Sequence, residues 1–130
     1  MDFSKITQKI LPVLNLSNLE QADLIAQLMK ESNLTYLEIT LRNDNAMTVL
    51  SHILSNHPTL IVGVGTIIKS DDMFSVAESG AHFGVTPGMN SALYAAMDNS
   101  SLPIIPGVST ISEAMEAMEH GCDYVKLFPA

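Results

Sequence analysis

The sequence predicts an α/β fold built on a parallel sheet, and three observations carry that prediction. Short apolar runs alternate with amphipathic stretches along the chain. The runs begin near positions 10, 35, 59, 82, 103 and 123, a repeat of roughly 20–25 residues, the size of one strand, one helix and two short loops. A regular alternation of this kind sets the strands parallel, with the helices as crossovers. Its compact forms are the open doubly wound sheet and the eightfold barrel, and eight units at this spacing need about 200 residues. The chain has 130, so periodicity leaves two forms open: a six-strand open sheet, or the first six units of a barrel.

The elements follow in order. "ILPVLNL" (10–16) reads as a strand and leads into "SNLEQADLIAQLMKES", where Leu19, Ala22, Ile25, Ala26 and Met29 recur at helical spacing and Ser17 is the candidate N-cap. "TYLEITL" (35–41) precedes the helical "NDNAMTVLSHILSNH". "TLIVGVGT" (59–66) precedes "SDDMFSVAESG", with Ser70 as cap, Asp71 and Asp72 in a first turn where the helix dipole favours them, and Gly80 as the stop. "HFGVTPG" (82–88) feeds "MNSALYAAMDNS", and "PIIPGVS" (103–109) feeds "TISEAMEAMEHG". The closing "DYVKLFPA" supplies a sixth strand over 123–129 with no helix after it.

Composition bounds the function. An apolar content of 47% and a mean hydropathy of +0.25 suffice for a packed core in one domain, 1–130. The net charge is −8, with only six basic residues and no cluster of them, which argues against a nucleic-acid backbone or an anionic membrane surface as partner. "MDFSKITQKI" has no apolar core of a secretory leader, and no run approaches the ~18 apolar residues of a membrane span. The expectation is a cytoplasmic chain. A single cysteine, Cys122, excludes an internal disulfide and reads as a small buried residue. The four histidines show no metal-ligand spacing: His52 and His57 lie five apart on or just past the second helix, and His82 and His120 read as polar termini. Met115 and Met118 read as core gap fillers, and Glu113, Glu116 and Glu119 as a solvated helix face.

Strand chemistry points to a site. Side chains alternate faces, so in "YLEITLR" Leu37, Ile39 and Leu41 share one face, and Glu38, Thr40 and Arg42 the other. In a parallel barrel the outward face packs on helices, whereas inward residues near the C-terminal strand ends line the active site. The same parity in "DYVKLFPA" puts Val125 and Leu127 outward and Tyr124, Lys126 and Phe128 inward, with Glu38. A lysine in an apolar setting loses hydration of its charged form and becomes a nucleophilic amine of the kind that forms Schiff bases. The alternative for Lys126 is to snorkel to water, or to pair with Glu38 for structural reasons.

"LEITLR", "GVGT", "VTPG", "PIIPGVST" and "VKLFPA", in that order and at these intervals, resemble the bacterial family of 2-keto-3-deoxy-6-phosphogluconate (KDPG) aldolases, which also cleave 4-hydroxy-2-oxoglutarate. The resemblance covers nearly the whole chain. It implies a (β/α)8 TIM barrel, a class I lyase working through a lysine Schiff base with neither metal nor cofactor, a place in Entner–Doudoroff carbohydrate metabolism, and a homotrimer. It puts the Schiff-base lysine on Lys126 and the acid–base glutamate on Glu38. Arg42 and Thr66 would hold the pyruvyl carboxylate, with Pro87 and Phe128 as walls of the pocket. Gly63 and Gly65 would let the backbone approach the ligand. The expected reaction cleaves KDPG to pyruvate and glyceraldehyde 3-phosphate, or 4-hydroxy-2-oxoglutarate to pyruvate and glyoxylate. An aldolase for the galactonate analogue, or a non-catalytic barrel fragment acting in binding or assembly, are the other readings. Only six β/α units are present, so the natural protein is expected to continue past Ala130. Its phosphate site is expected in the last two units, where phosphate-binding barrels carry it.

Overall fold

Each apolar run becomes a strand because alternate residues of it meet a layer of helices. The computed structural model describes residues 3–130. After a short 3-10 turn at Phe3–Lys5 come β1 (Val13–Leu14), α1 (Leu19–Glu31), β2 (Tyr36–Thr40), α2 (Ala46–Asn56), β3 (Ile61–Gly65), α3 (Ser70–Glu78), β4 (Phe83–Val85), α4 (Ser91–Asp98), β5 (Ile104–Ile105), β6 (Gly107–Val108), α5 (Ile111–Glu119) and β7 (Lys126–Leu127). Strands β1 to β5 form one sheet in sequence order, and β6 pairs with β7. Every pairing is parallel. Sequential order with a helix between neighbours is the wall of a TIM-barrel-like α/β fold and not a doubly wound sheet, whose order reverses at a switch point.

The stretch 103–109 is two strands rather than one. Pro106 has no N–H for a ladder, and the chain changes partners there: β5 lies against β4, while the Pro106 carbonyl accepts from the Lys126 amide at 2.9 Å and β6 runs beside β7. The two sheets stay joined. The Gly107 amide donates to the Thr86 hydroxyl at 3.1 Å, and a Cβ at Gly107 would collide with the Thr86–Pro87 backbone.

Leu37 and Ile39 of β2 and Val62 and Val64 of β3 are fully buried against Ala22 and Ala26 of α1, Val49, Leu50 and Ile53 of α2, Met73 and Val76 of α3, and Leu93 of α4. At about 25 cal/mol per Å2 of apolar area, this sheet–helix interface is the main driving force for folding. The other face of the sheet carries Glu38, Thr40, Gly63 and Gly65. At the N-terminal end of that face, Phe3 stands edge-on to Phe83 and Tyr124, with ring centroids 5.8 and 5.7 Å apart.

Several sequence expectations are corrected by local geometry. The N-cap of α1 is Asn18, whose side chain accepts from the Gln21 amide, and Ser17 precedes it, its amide donating to Gln21 Oε1. Ser70 is the first residue inside α3 rather than its cap, and its hydroxyl donates to the Ala92 carbonyl. Gly80 ends α3 at φ +86°, a left-handed conformation that glycine adopts without penalty. Glu113 is no mere solvated residue: it closes a capping box with Thr110 and accepts from the Ser109 and Thr110 amides at 2.7 and 2.9 Å, which hold its carboxyl below the usual range. Met115 and Met118 are exposed rather than core residues, as is Ile111. Helical spacing tells which residues share a face but not whether anything covers it. No helix among the described residues is long and apolar enough to cross a membrane.

Candidate active site

The six residues expected at the site come from β2, β7 and the segments that follow β2, β3, β4 and β7. Glu38 sits mid-strand in β2, only 2% exposed, and its Oε1 lies 3.6 Å from the Lys126 Nζ of β7. At that distance the contact is an ion pair and too long for a hydrogen bond. Glu38 Oε1 therefore has no hydrogen-bond partner, the single such buried side-chain oxygen among the described residues. A buried carboxylate left this way is expensive. Burial pushes the Glu38 carboxyl above its ordinary range, with the nearby charges of Lys126 and Arg42 pulling partly back. Desolvation wins.

The space for this carboxylate is made by glycine. A Cβ at Gly65 would overlap the Glu38 carboxylate, and one at Gly63 would overlap the Phe83 ring. Both glycines thus serve neighbouring side chains, where the sequence suggested close approach of a ligand.

Lys126 keeps 29% of its side chain exposed and stands over the Phe128 ring, 5.1 Å from its centroid, a favourable place for a cation. Arg42 is exposed just beyond β2, and its Nε donates to the Thr66 hydroxyl at 3.3 Å. Thr66 has φ +64°. For a β-branched residue that conformation is strained, and strain of this kind gathers at functional sites. Pro87 follows β4 and its backbone packs on Gly107, the strand partner of Lys126. The structure thus brings Glu38, Lys126 and Phe128 together, and Arg42 with Thr66, while Pro87 reaches the group through its backbone.

Two residues join the site that sequence reasoning did not single out. Thr40 is buried on the Glu38 face and donates to the Leu14 carbonyl at 3.3 Å. Thr86 is fully buried and links β4 to Gly107. Parity already put Thr40 on the inward face. Nothing in "VTPG" marked Thr86, whose partner lies 21 residues away.

The histidines also differ from expectation. His52 and His57 both donate from Nε2 to Asp23 Oδ1 of α1, at 2.7 and 2.8 Å. His57 is the C-cap of α2 at φ −128°, ψ 61°, and leaving the helix there turns its ring back beside that of His52. His82 Nδ1 accepts from the Val62 amide at 3.0 Å, and His120 stacks on Tyr94.

The family model for KDPG and KHG aldolases matches residues 3–130. The KHG/KDPG aldolase of Escherichia coli K12 is 36% identical over 124 residues, 95% of this chain and 58% of the relative. The 2-dehydro-3-deoxy-phosphogluconate aldolase of Dickeya dadantii is 35% identical over 121 residues, 93% of this chain and 57% of the relative. Among solved structures, the KDPG aldolase of Legionella pneumophila, in which pyruvate was captured at low pH as a covalent carbinolamine intermediate, matches with a TM-score of 0.88 at 34% identity, over 92% of this chain and 58% of that one. The chain therefore spans somewhat more than half the length of the relatives it matches. With matched residues that include both strands of the Glu38–Lys126 pair, the chain belongs to the KDPG and KHG aldolase family.

Proposed function

We propose that this chain carries the catalytic half of a class I aldolase that cleaves a 2-keto-4-hydroxy acid to pyruvate and an aldehyde, with Lys126 as the Schiff-base nucleophile. One observation carries the reading: a buried carboxylate with an unpartnered oxygen, raised in pKa, facing the only lysine on that strand at 3.6 Å. Transfer of a proton from Lys126 to Glu38 leaves a neutral amine beside a neutral acid, which removes the burial cost of the charges. The amine then attacks the C2 carbonyl carbon while Glu38 gives its proton to the carbonyl oxygen, forming the carbinolamine. The nitrogen returns its extra proton to Glu38, which delivers it to the departing hydroxyl, and loss of water leaves a cationic iminium beside the ionised Glu38. Glu38 takes the proton of the C4 hydroxyl. The C3–C4 bond breaks, its electron pair flows to the iminium nitrogen, and the aldehyde leaves. The enamine is protonated at C3, and hydrolysis of the resulting iminium releases pyruvate and Lys126. Arg42, steadied by Thr66, grips the substrate carboxylate through charge-assisted hydrogen bonds, which fixes C2 against the amine. Phe128 and Pro87 wall the pyruvyl group.

KDPG and 4-hydroxy-2-oxoglutarate are the substrates this reading assigns, in a cytoplasmic homotrimer. The chain is then the first six β/α units, one partial domain, of a (β/α)8 barrel. The support is the level of identity to the E. coli and D. dadantii enzymes and the fit to the L. pneumophila fold. Borohydride reduction in the presence of pyruvate tests the assignment. Peptide mapping should find the reduced pyruvyl adduct on Lys126, and its absence there, or its presence on another lysine, overturns the reading.

A further inference from the structure

Asp23, His52 and His57 make a cluster on the outside of the molecule, where α1 and α2 lie side by side. One carboxylate and two imidazoles offer Asp23 Oδ1, His52 Nε2 and His57 Nε2, three ligand atoms all within 4.8 Å of one another. The imidazoles are partly sheltered, at 22% and 28% side-chain exposure, while the carboxylate is 55% exposed. One side of the cluster is therefore open to solvent, both for entry of an ion and for water in a remaining coordination position. We propose that these three residues bind a borderline divalent cation of the Zn2+ type, which ties α1 to α2.

The donor set selects the ion. Imidazole suits Zn2+, Co2+, Ni2+ and Cu2+, whereas Mg2+ and Ca2+ require oxygen ligands in greater number. Zinc bonds of about 2.0–2.1 Å to histidine and about 2.0–2.2 Å to a carboxylate, arranged tetrahedrally, separate the ligand atoms by roughly 3.3 Å. The present separations from Asp23 Oδ1 are 2.7 and 2.8 Å, so side-chain rotations that open the cluster by roughly half an ångström would accommodate the metal. To coordinate, each Nε2 must give up its proton, the neutral ring then carrying it on Nδ1. The Asn56 side-chain amide donates to the His52 carbonyl at 2.9 Å and to His52 Nδ1 at 3.3 Å; metal binding would break the second of these bonds and leave the first.

The site does not depend on the aldolase reading, since its three residues lie on the helix layer and not on the Glu38 face of the sheet. Calorimetric titration of the whole chain with Zn2+ tests it, with Mg2+ in a parallel titration. Saturable binding of one Zn2+ is expected, with no heat from Mg2+ and a rise in thermal midpoint of at least about 5 °C when Zn2+ exceeds its Kd a hundredfold. Asp23→Asn, His52→Gln and His57→Gln should each weaken Zn2+ binding by at least about tenfold, because even outer-shell partners are worth about that much. Far-ultraviolet circular dichroism checks that each variant is folded, and Asp23→Asn, which preserves shape at an exposed position, serves if a histidine variant is not. Zn2+ binding that is absent below millimolar concentration, or that survives in the folded variants unchanged, overturns the proposal and leaves the cluster as a hydrogen-bonded tie between two helices.

Discussion

The proposed mechanism asks the Glu38 carboxyl to exchange protons, although it is almost wholly withdrawn from water. Its folded pKa lies above the ordinary 4.5 because burial outweighs the attraction of Lys126 and Arg42. The native state therefore binds this proton more tightly than the unfolded chain does. The stabilising contribution is full below pH 4.5 and is lost as pH rises through the folded value. Glu38→Gln should thus leave the protein no less stable at neutral pH in urea denaturation, while turnover falls by roughly two to four orders of magnitude, the range of general acid–base catalysis. The opposite pattern, stability lost with turnover kept, would make Glu38 a structural partner of Lys126. Lys126→Met removes the nearest positive charge, so the Glu38 carboxyl should rise further and its loss of stability with rising pH should extend to higher pH. Turnover should drop below about a thousandth of wild type, as befits removal of a covalent nucleophile.

At the level of elements, β3 and α5 each hold a site feature in place by one local device. In β3 that device is the absence of a side chain at Gly65, where the Glu38 carboxylate lies. Gly65→Ala should lower activity through a displaced Glu38 and cost about 1–3 kcal/mol of stability, the usual range for overpacking. A variant with native activity would show that the carboxylate position is not critical. In α5 the device is the capping box of Thr110 and Glu113. Thermal unfolding of Thr110→Ala should reveal a loss of about 1 kcal/mol, since the Glu113 amide loses its acceptor. The helix starts three residues after Val108, the strand neighbour of Leu127, so looser capping should also disturb β6 and β7. Hydrogen exchange at the Lys126 and Phe128 amides, bonded to Pro106 and Val108, would register that disturbance.

For the molecule as a whole, the distribution of apolar surface is uneven. The helix-covered face of β2 and β3 is fully buried, but Ile111, Met115 and Met118 on α5 and Leu127 on β7 are between 58% and 82% exposed. Exposed apolar side chains gathered on one element favour association. Light scattering on residues 1–130 should show mass rising with protein concentration, and Ile111→Lys with Met118→Lys should reduce it; a monomer at all concentrations would contradict this. The sequence alone determined the α/β class, because strand and helix periods repeat at a fixed interval, and strand parity placed Glu38 and Lys126 on one face, because alternate side chains of a strand must share one. Ordered motifs pointed to the family. Only tertiary structure decided what depends on distance between segments far apart in the chain: the split of 103–109 at Pro106, the glycines that make room for Phe83 and Glu38, the link from Thr86 to Gly107, the solvent exposure of Met115 and Met118, and the meeting of His52 and His57 on Asp23. Periodicity is a local property, written in neighbouring residues, whereas burial and convergence depend on which other element arrives at the same place.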